Sequence, residues 1–112
     1  MINGAHVVVY SADAGADRAF LREVMGLSSV DAGDGWLIFA LPPAEVAVHP
    51  AETGGSHELF LMCDDIDGLR TDLLAKYIEI GDVSDEGWGR LAVMVLPGGG
   101  KLGIYEPRHA RP

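Results

Sequence analysis

His57-Glu58-Leu59-Phe60-Leu61-Met62-Cys63 decides the fold of this chain, because its arrangement occurs twice. The earlier copy is Ala5-His6-Val7-Val8-Val9-Tyr10. In both, a histidine leads a short run of β-branched, aromatic or aliphatic residues, the composition of a buried strand. Both runs stop at an acidic turn, Asp13 in the first and Asp64-Asp65 in the second. An aspartate there can accept from the free N–H groups of a following helix. Amphipathic stretches do follow. Ala16, Phe20, Val24 and Leu27 form one apolar stripe at helical spacing, and Ile66, Leu69, Leu73 and Tyr77 form the other.

Gly26 suits the left-handed residue that stops the first helix. The second helix has no glycine or asparagine to close it, since Lys76 runs directly into Tyr77 and Ile78. Strands are expected at 28–31, 36–41 and 45–49 after the first helix, and at 78–83, 91–96 and 102–105 after the second. Residues 84–89 read as a loop, and Pro97-Gly98-Gly99-Gly100 as a tight turn. The order is therefore β-α-β-β-β, twice. It predicts an α+β fold: two βαβββ modules, about 1–50 and about 57–107, within a single domain spanning 1–112. Curved mixed sheets surround a concave pocket, with the helices on the convex face. Ligands bind in such concavities, and the repeat brings His6 and His57 into one of them.

Composition narrows the functions. The 112 residues carry a formal net charge of −9, with an isoelectric point near 4.6. Such a field repels a phosphate backbone, so nucleic acid is a poor partner, and it attracts cationic ligands. Its ordinary role is to keep a small protein soluble. No run approaches the roughly 20 apolar residues of a membrane helix, and no basic-then-apolar leader opens the chain. Membrane association is not expected. Cys63 is the sole cysteine, so no intrachain disulfide forms, which suits the cytoplasm.

The pocket candidates are His6, His49, His57, Trp36, Trp88 and Tyr105. Each also has an ordinary structural reading. The histidines serve equally as hydrogen-bonding pocket groups, and the tryptophans as packed loop anchors. An indole ring also stacks well on a flat or cationic ligand, and the Tyr105 hydroxyl can orient a polar one. Phe39, Phe60 and Met62 read as core. Cys63 reads as an inert, buried thiol, and His109 as a solvated tail residue. The glycine-rich turn at 97–100 lacks the lysine and hydroxyl spacing of a phosphate-binding loop.

This order of segments resembles the vicinal oxygen chelate superfamily, which includes glyoxalase I, extradiol dioxygenases, fosfomycin-resistance enzymes and bleomycin-resistance proteins. The resemblance is carried by Ala5-His6-Val7-Val8-Val9, Ala19-Phe20-Leu21-Arg22-Glu23-Val24-Met25-Gly26-Leu27, His57-Glu58-Leu59-Phe60 and Asp64-Asp65-Ile66-Asp67-Gly68-Leu69. Gly87-Trp88-Gly89-Arg90 and the segment from Pro97 to Pro107 complete it. Enzymes of that family hold a divalent metal on the first and last strand of each module. The resemblance assigns two of those positions to His6 and His57. The other two fall at Gly103, where a carboxylate is expected, and near Ala47, neither of which is a ligand. His49 shares a face with Ala47 by strand parity and is the replacement candidate; Glu106 has the wrong parity relative to Gly103.

Divalent iron typically takes two histidines and a carboxylate, and zinc three or four protein ligands. The resemblance then implies a small-molecule-binding protein without a complete metal-ligand set, with no cofactor. Its partner would be a cationic or aromatic small molecule. The alternatives are a metal-dependent lyase or dioxygenase with a rearranged histidine site, and an interaction module with a vestigial pocket. The resemblance also implies a homodimer.

Overall fold

The computed structural model describes residues 6–45, 47–54 and 56–110. Helix α1 spans Ala14–Glu23. Strands β1 (Ser29–Asp31) and β2 (Leu37–Phe39) follow as an antiparallel hairpin. The second half runs β3 (Phe60–Met62), α2 (Ile66–Ala75), β4 (Ser84–Asp85), β5 (Gly89–Val95) and β6 (Lys101–Pro107). It makes a mixed sheet in the order β3-β6-β5-β4. β3 is parallel to β6, while β5 is antiparallel to both β6 and β4. The second half is thus a complete βαβββ unit.

The helices start where the acidic turns predict. The Asp13 carboxylate accepts from Ala16 N–H at 3.1 Å, and the Asp65 carboxylate from Gly68 N–H at 3.0 Å. Gly26 follows α1 at φ +71°. α2 is followed, past its cap Lys76, by Tyr77, a non-glycine residue at φ +61°. The stripe of α2 therefore stops short of Tyr77, whose side chain projects 96% exposed instead of packing with Ile66 and Leu73. Both helices cover one face of the larger sheet. Ile66 and Leu73 of α2, and Phe20 of α1, join Ala92, Met94, Leu102 and Ile104 in a single core. The α1 side is fastened by Asp17, a buried residue whose carboxylate accepts from Gly98 N–H at 2.8 Å, in the β5–β6 turn.

Several boundaries differ from the sequence reading. Of the strand expected over 5–10, residues 6–10 lie outside any strand, and Ala5 is outside the described residues. Of the strand expected over 45–49, Glu45 and residues 47–49 likewise lie outside any strand, and Val46 is outside the described residues. The physical reason is a missing ladder. A strand is held by hydrogen bonds to a neighbour, and among the described residues no strand ladder includes these segments; Val7, Val8 and Val9 are about half exposed. In place of a strand over 78–83 there is a single bridge from Ile80 to Met94. The regular pairing falls later, at β4, within residues read as a loop, where the turn at Gly87 returns the chain to β5.

Candidate aromatic site on the open sheet face

Strand alternation gives the larger sheet two unlike faces. Leu61, Ala92, Met94, Leu102 and Ile104 point to the helices. The opposite face is built from rows across the sheet. Phe60, Gly103 and Val93 are register partners in one row, and Met62, Tyr105 and Leu91 in the next. Gly103 has no side chain, so the ring of Phe60 folds into the space beside it. A Cβ added at Gly103 would lie 2.5 Å from Phe60 Cδ1 and 2.7 Å from Cε1. Phe60, read from sequence as core, is instead 38% exposed on this open face.

Three rings meet here. Trp88, at the β4–β5 turn, stands edge-on to Tyr105 with centroids 5.1 Å apart. Phe60 is edge-on to both, at 6.3 Å from Trp88 and 6.0 Å from Tyr105. Mutual T-shaped packing favours each ring by about 0.5–1.5 kcal/mol beyond area burial. The rings stay partly open to solvent, with Trp88 41% exposed.

The polar edge comes from the chain end. His109 Nε2 lies 3.0 Å from the Tyr105 hydroxyl and 4.0 Å from a Glu45 carboxylate oxygen of the first half. The other ring nitrogen, Nδ1, lies 2.9 Å from the carbonyl of Ala110. His109 is therefore not the solvated tail residue expected from sequence. Its backbone is tied down: the N–H groups of Arg108 and His109 both donate to the Trp88 carbonyl. The Arg108 side chain pairs with Asp85 at 2.5 Å. That guanidinium, with help from the Gly87 N–H, holds the Asp85 carboxyl below the usual aspartate range. Nothing in the sequence marked His109; its role follows from β6 running through Pro107, which aims the next residues back over Trp88.

The structure brings Trp88 and Tyr105 together. Trp36 is 67% exposed and meets Arg18 of α1, whose guanidinium carbon is 4.8 Å from the ring centre. His6, His49 and His57 are exposed. Among the described residues, no group of three histidine, cysteine or acidic side chains is arranged to hold a metal ion. The position at Gly103 does not fit a carboxylate either, because the Phe60 ring fills it. Glu106 points to the helix side, where its carboxylate accepts from Ile66 N–H at 3.2 Å and helps start α2. Cys63 borders an apolar hollow of about 210 Å³ on that same side, with Val24, Met25 and Leu69. Burial, and then the nearby Glu106 charge, push its thiol pKa up, so it stays protonated and unreactive.

Comparison with known proteins agrees with this architecture. No family model matches the chain, and no curated protein matches it. Solved structures do. An antibiotic-binding protein from Streptomyces sp. CB03234, TnmS3, is 24% identical over 96% of this chain and 99% of its own, with a TM-score of 0.67. Lactoylglutathione lyase from Agrobacterium tumefaciens is 18% identical over 93% and 92%, with a TM-score of 0.68. The bleomycin resistance determinant encoded on transposon Tn5 is 22% identical over 96% and 100%, with a TM-score of 0.66. The chain has the fold of the glyoxalase and bleomycin-resistance proteins, the vicinal oxygen chelate fold.

Proposed function

We propose that this protein binds a flat, positively charged small molecule on the Phe60–Trp88–Tyr105 face, by sequestration and without a metal centre. The observation that carries the reading is the Phe60 ring lying over Gly103. It takes the space a carboxylate ligand would need and turns that space into aromatic surface. Solvent-exposed aromatic rings attract cations, by about 0.5–2 kcal/mol per contact depending on desolvation. The net charge of −9 draws cations toward the protein from solution. The likeness to an antibiotic-binding protein and a bleomycin resistance determinant supports small-molecule binding. The lone Cys63 supports a reducing, cytoplasmic setting.

A second copy of the chain completes the pocket in this reading. The aromatic face is open in one chain, and Val7, Val8 and Val9 present an unpaired apolar segment. Apolar surface and unpaired backbone of that kind are what a partner strand covers.

Tryptophan fluorescence of EDTA-treated protein, titrated with 1-naphthylmethylammonium, tests the binding. Saturable binding is expected, unaffected by the chelator and weakened about tenfold in Trp88→Ala, the loss of one ring contact. One tightly held metal ion per chain in elemental analysis of untagged protein overturns the reading.

A further inference from the structure

Arg18 stands apart from the other described arginines. Arg22, Arg70, Arg90 and Arg108 each lie within 3.2 Å of a carboxylate oxygen, on Glu23, Asp82, Asp67 and Asp85. Arg18 has no acidic partner among the described residues, although the chain carries 17 acidic residues against 8 lysines and arginines. Its guanidinium lies over the Trp36 ring instead, with Cζ 4.8 Å from the ring centre. A guanidinium holds its N–H donors in a planar fork that matches a carboxylate at two points. Those of Arg18 meet no acceptor among the described residues, so the fork is open to one that a ligand brings.

The surface beside it is apolar. Trp36 directly precedes β2, and the Ala32 N–H donates to its carbonyl across the hairpin at 2.9 Å. By strand alternation Trp36 and Ile38 share a side, and Val30 is the register partner of Ile38. Trp36 is 67% exposed, Val30 66% and Ile38 38%. Val30 and Ile38 also border a hollow of about 260 Å³. We propose that Arg18 and Trp36 form a second ligand site, for a small planar aromatic carboxylate: the Arg18 fork takes the carboxylate, and the aromatic body lies along Trp36, Ile38 and Val30. This goes beyond the cation-binding role proposed above and is independent of it, since the two sites share no residue and take opposite charges. The net charge of −9 opposes the anion only weakly here, because exposed charges more than about 8 Å away are largely screened at physiological ionic strength. Asp17, next to Arg18 in sequence, is buried and turned to Gly98. In the hairpin turn the Asp31 carboxylate accepts from the Gly33 and Gly35 N–H groups, and neither Asp31 nor Asp34 makes an ion pair with Arg18.

The test is a titration of nitrogen-labelled protein with 2-naphthoate, followed by proton–nitrogen correlation spectra. The Trp36 indole N–H and Arg18 Nε–H signals, assigned through Trp36→Phe and Arg18→Gln, should shift saturably while the Trp88 indole signal stays in place. Arg18→Gln should weaken binding about tenfold, the scale of a hydrogen bond to a charged group. Arg18→Lys keeps the charge without the fork and should fall in between. Arg22→Gln, one turn along the helix, should bind as the wild type does. 1-Naphthylmethylammonium, flat but of opposite charge, should leave the Trp36 signal unmoved. An Arg18→Gln protein that binds naphthoate as tightly as wild type overturns the proposal, as does naphthoate that moves Trp88 and not Trp36. A Trp36 signal that answers to protein concentration and not to the probe also overturns it, and gives this side of the hairpin to a second copy of the chain. The cation site is judged separately: an ammonium probe that leaves Trp88 unmoved strikes that reading alone.

Discussion

At the scale of single residues, one missing side chain organises the site. Gly103 lets the Phe60 ring close against β6, where it stands edge-on to Trp88 and Tyr105. Replacing Gly103 by Ala puts a methyl group within 2.5 Å of the ring and 3.4 Å of Leu91 Cδ1. Backbone cannot yield here, since Gly103 is paired on both sides. Phe60 can, because it is partly exposed, and swinging outward costs it the contacts with both rings. The expected destabilisation is about 1–3 kcal/mol, the range for overpacking a filled position. In a Phe60→Ala background the same methyl group meets only Leu91 Cδ1, at an ordinary contact distance of 3.4 Å, and its cost should drop by about 1 kcal/mol or more. A double-mutant cycle in urea measures that coupling. Additive effects would mean that Phe60 does not occupy the space at Gly103. The sequence disclosed the absence of a carboxylate at this position. It did not disclose the ring that replaces it, because strand parity gives the face of a residue and not where its side chain leans.

At the scale of elements, helix starts were legible and helix ends were less so. Asp13 and Asp65 cap as read, since capping is a local contact between residues three apart. The end of α2 carried no glycine signal, and the chain there places Tyr77 in the left-handed region. A side chain in that conformation costs about 1–2 kcal/mol, and an exposed tyrosine recovers little of it by packing. Tyr77→Gly should raise the urea midpoint with an unchanged m-value, by about 0.5–1 kcal/mol after the added freedom of the unfolded chain is subtracted. A loss of stability would mean that the Tyr77 ring makes a contact that outweighs its backbone strain. The paired strands β5 and β6 were also legible. The strands expected over 5–10 and 45–49 were not realised in the single chain, because an apolar run specifies that a strand wants burial and says nothing of what covers it. The same limit hid the β6–His109 return, which depends on how far a strand continues past its last apolar residue.

At the scale of the whole molecule, the two halves are unequal, and the inequality bears on assembly. Among the described residues, the buried apolar core is Phe20 with eight residues of the second half, from Ile66 to Ile104. The first half thus contributes one fully buried apolar side chain. The chain is also spread out. Its radius of gyration is 14.9 Å and its extents are 43 × 42 × 27 Å, whereas a compact domain of this length has a radius near 13 Å. Valines 7 to 9 and Val48, 93% exposed, lie along the segments that lack strand partners. Burying such side chains is worth about 1.5–3 kcal/mol each, so a second copy pairing with these segments, as proposed above, would add to the stability of the single chain. Two consequences separate this assembly from a monomer. The particle mass by light scattering should be twice 11.9 kDa. The thermal midpoint should climb as protein concentration is raised, because mass action couples folding to association. Val8→Lys puts a charge in the middle of the exposed run. It should shift the mass to that of one chain, lower the midpoint and abolish its concentration dependence. A wild-type midpoint that stays constant over about a hundredfold range of concentration, with a monomer mass throughout, would show that the first half is stable without a partner and that the aromatic face works open to solvent.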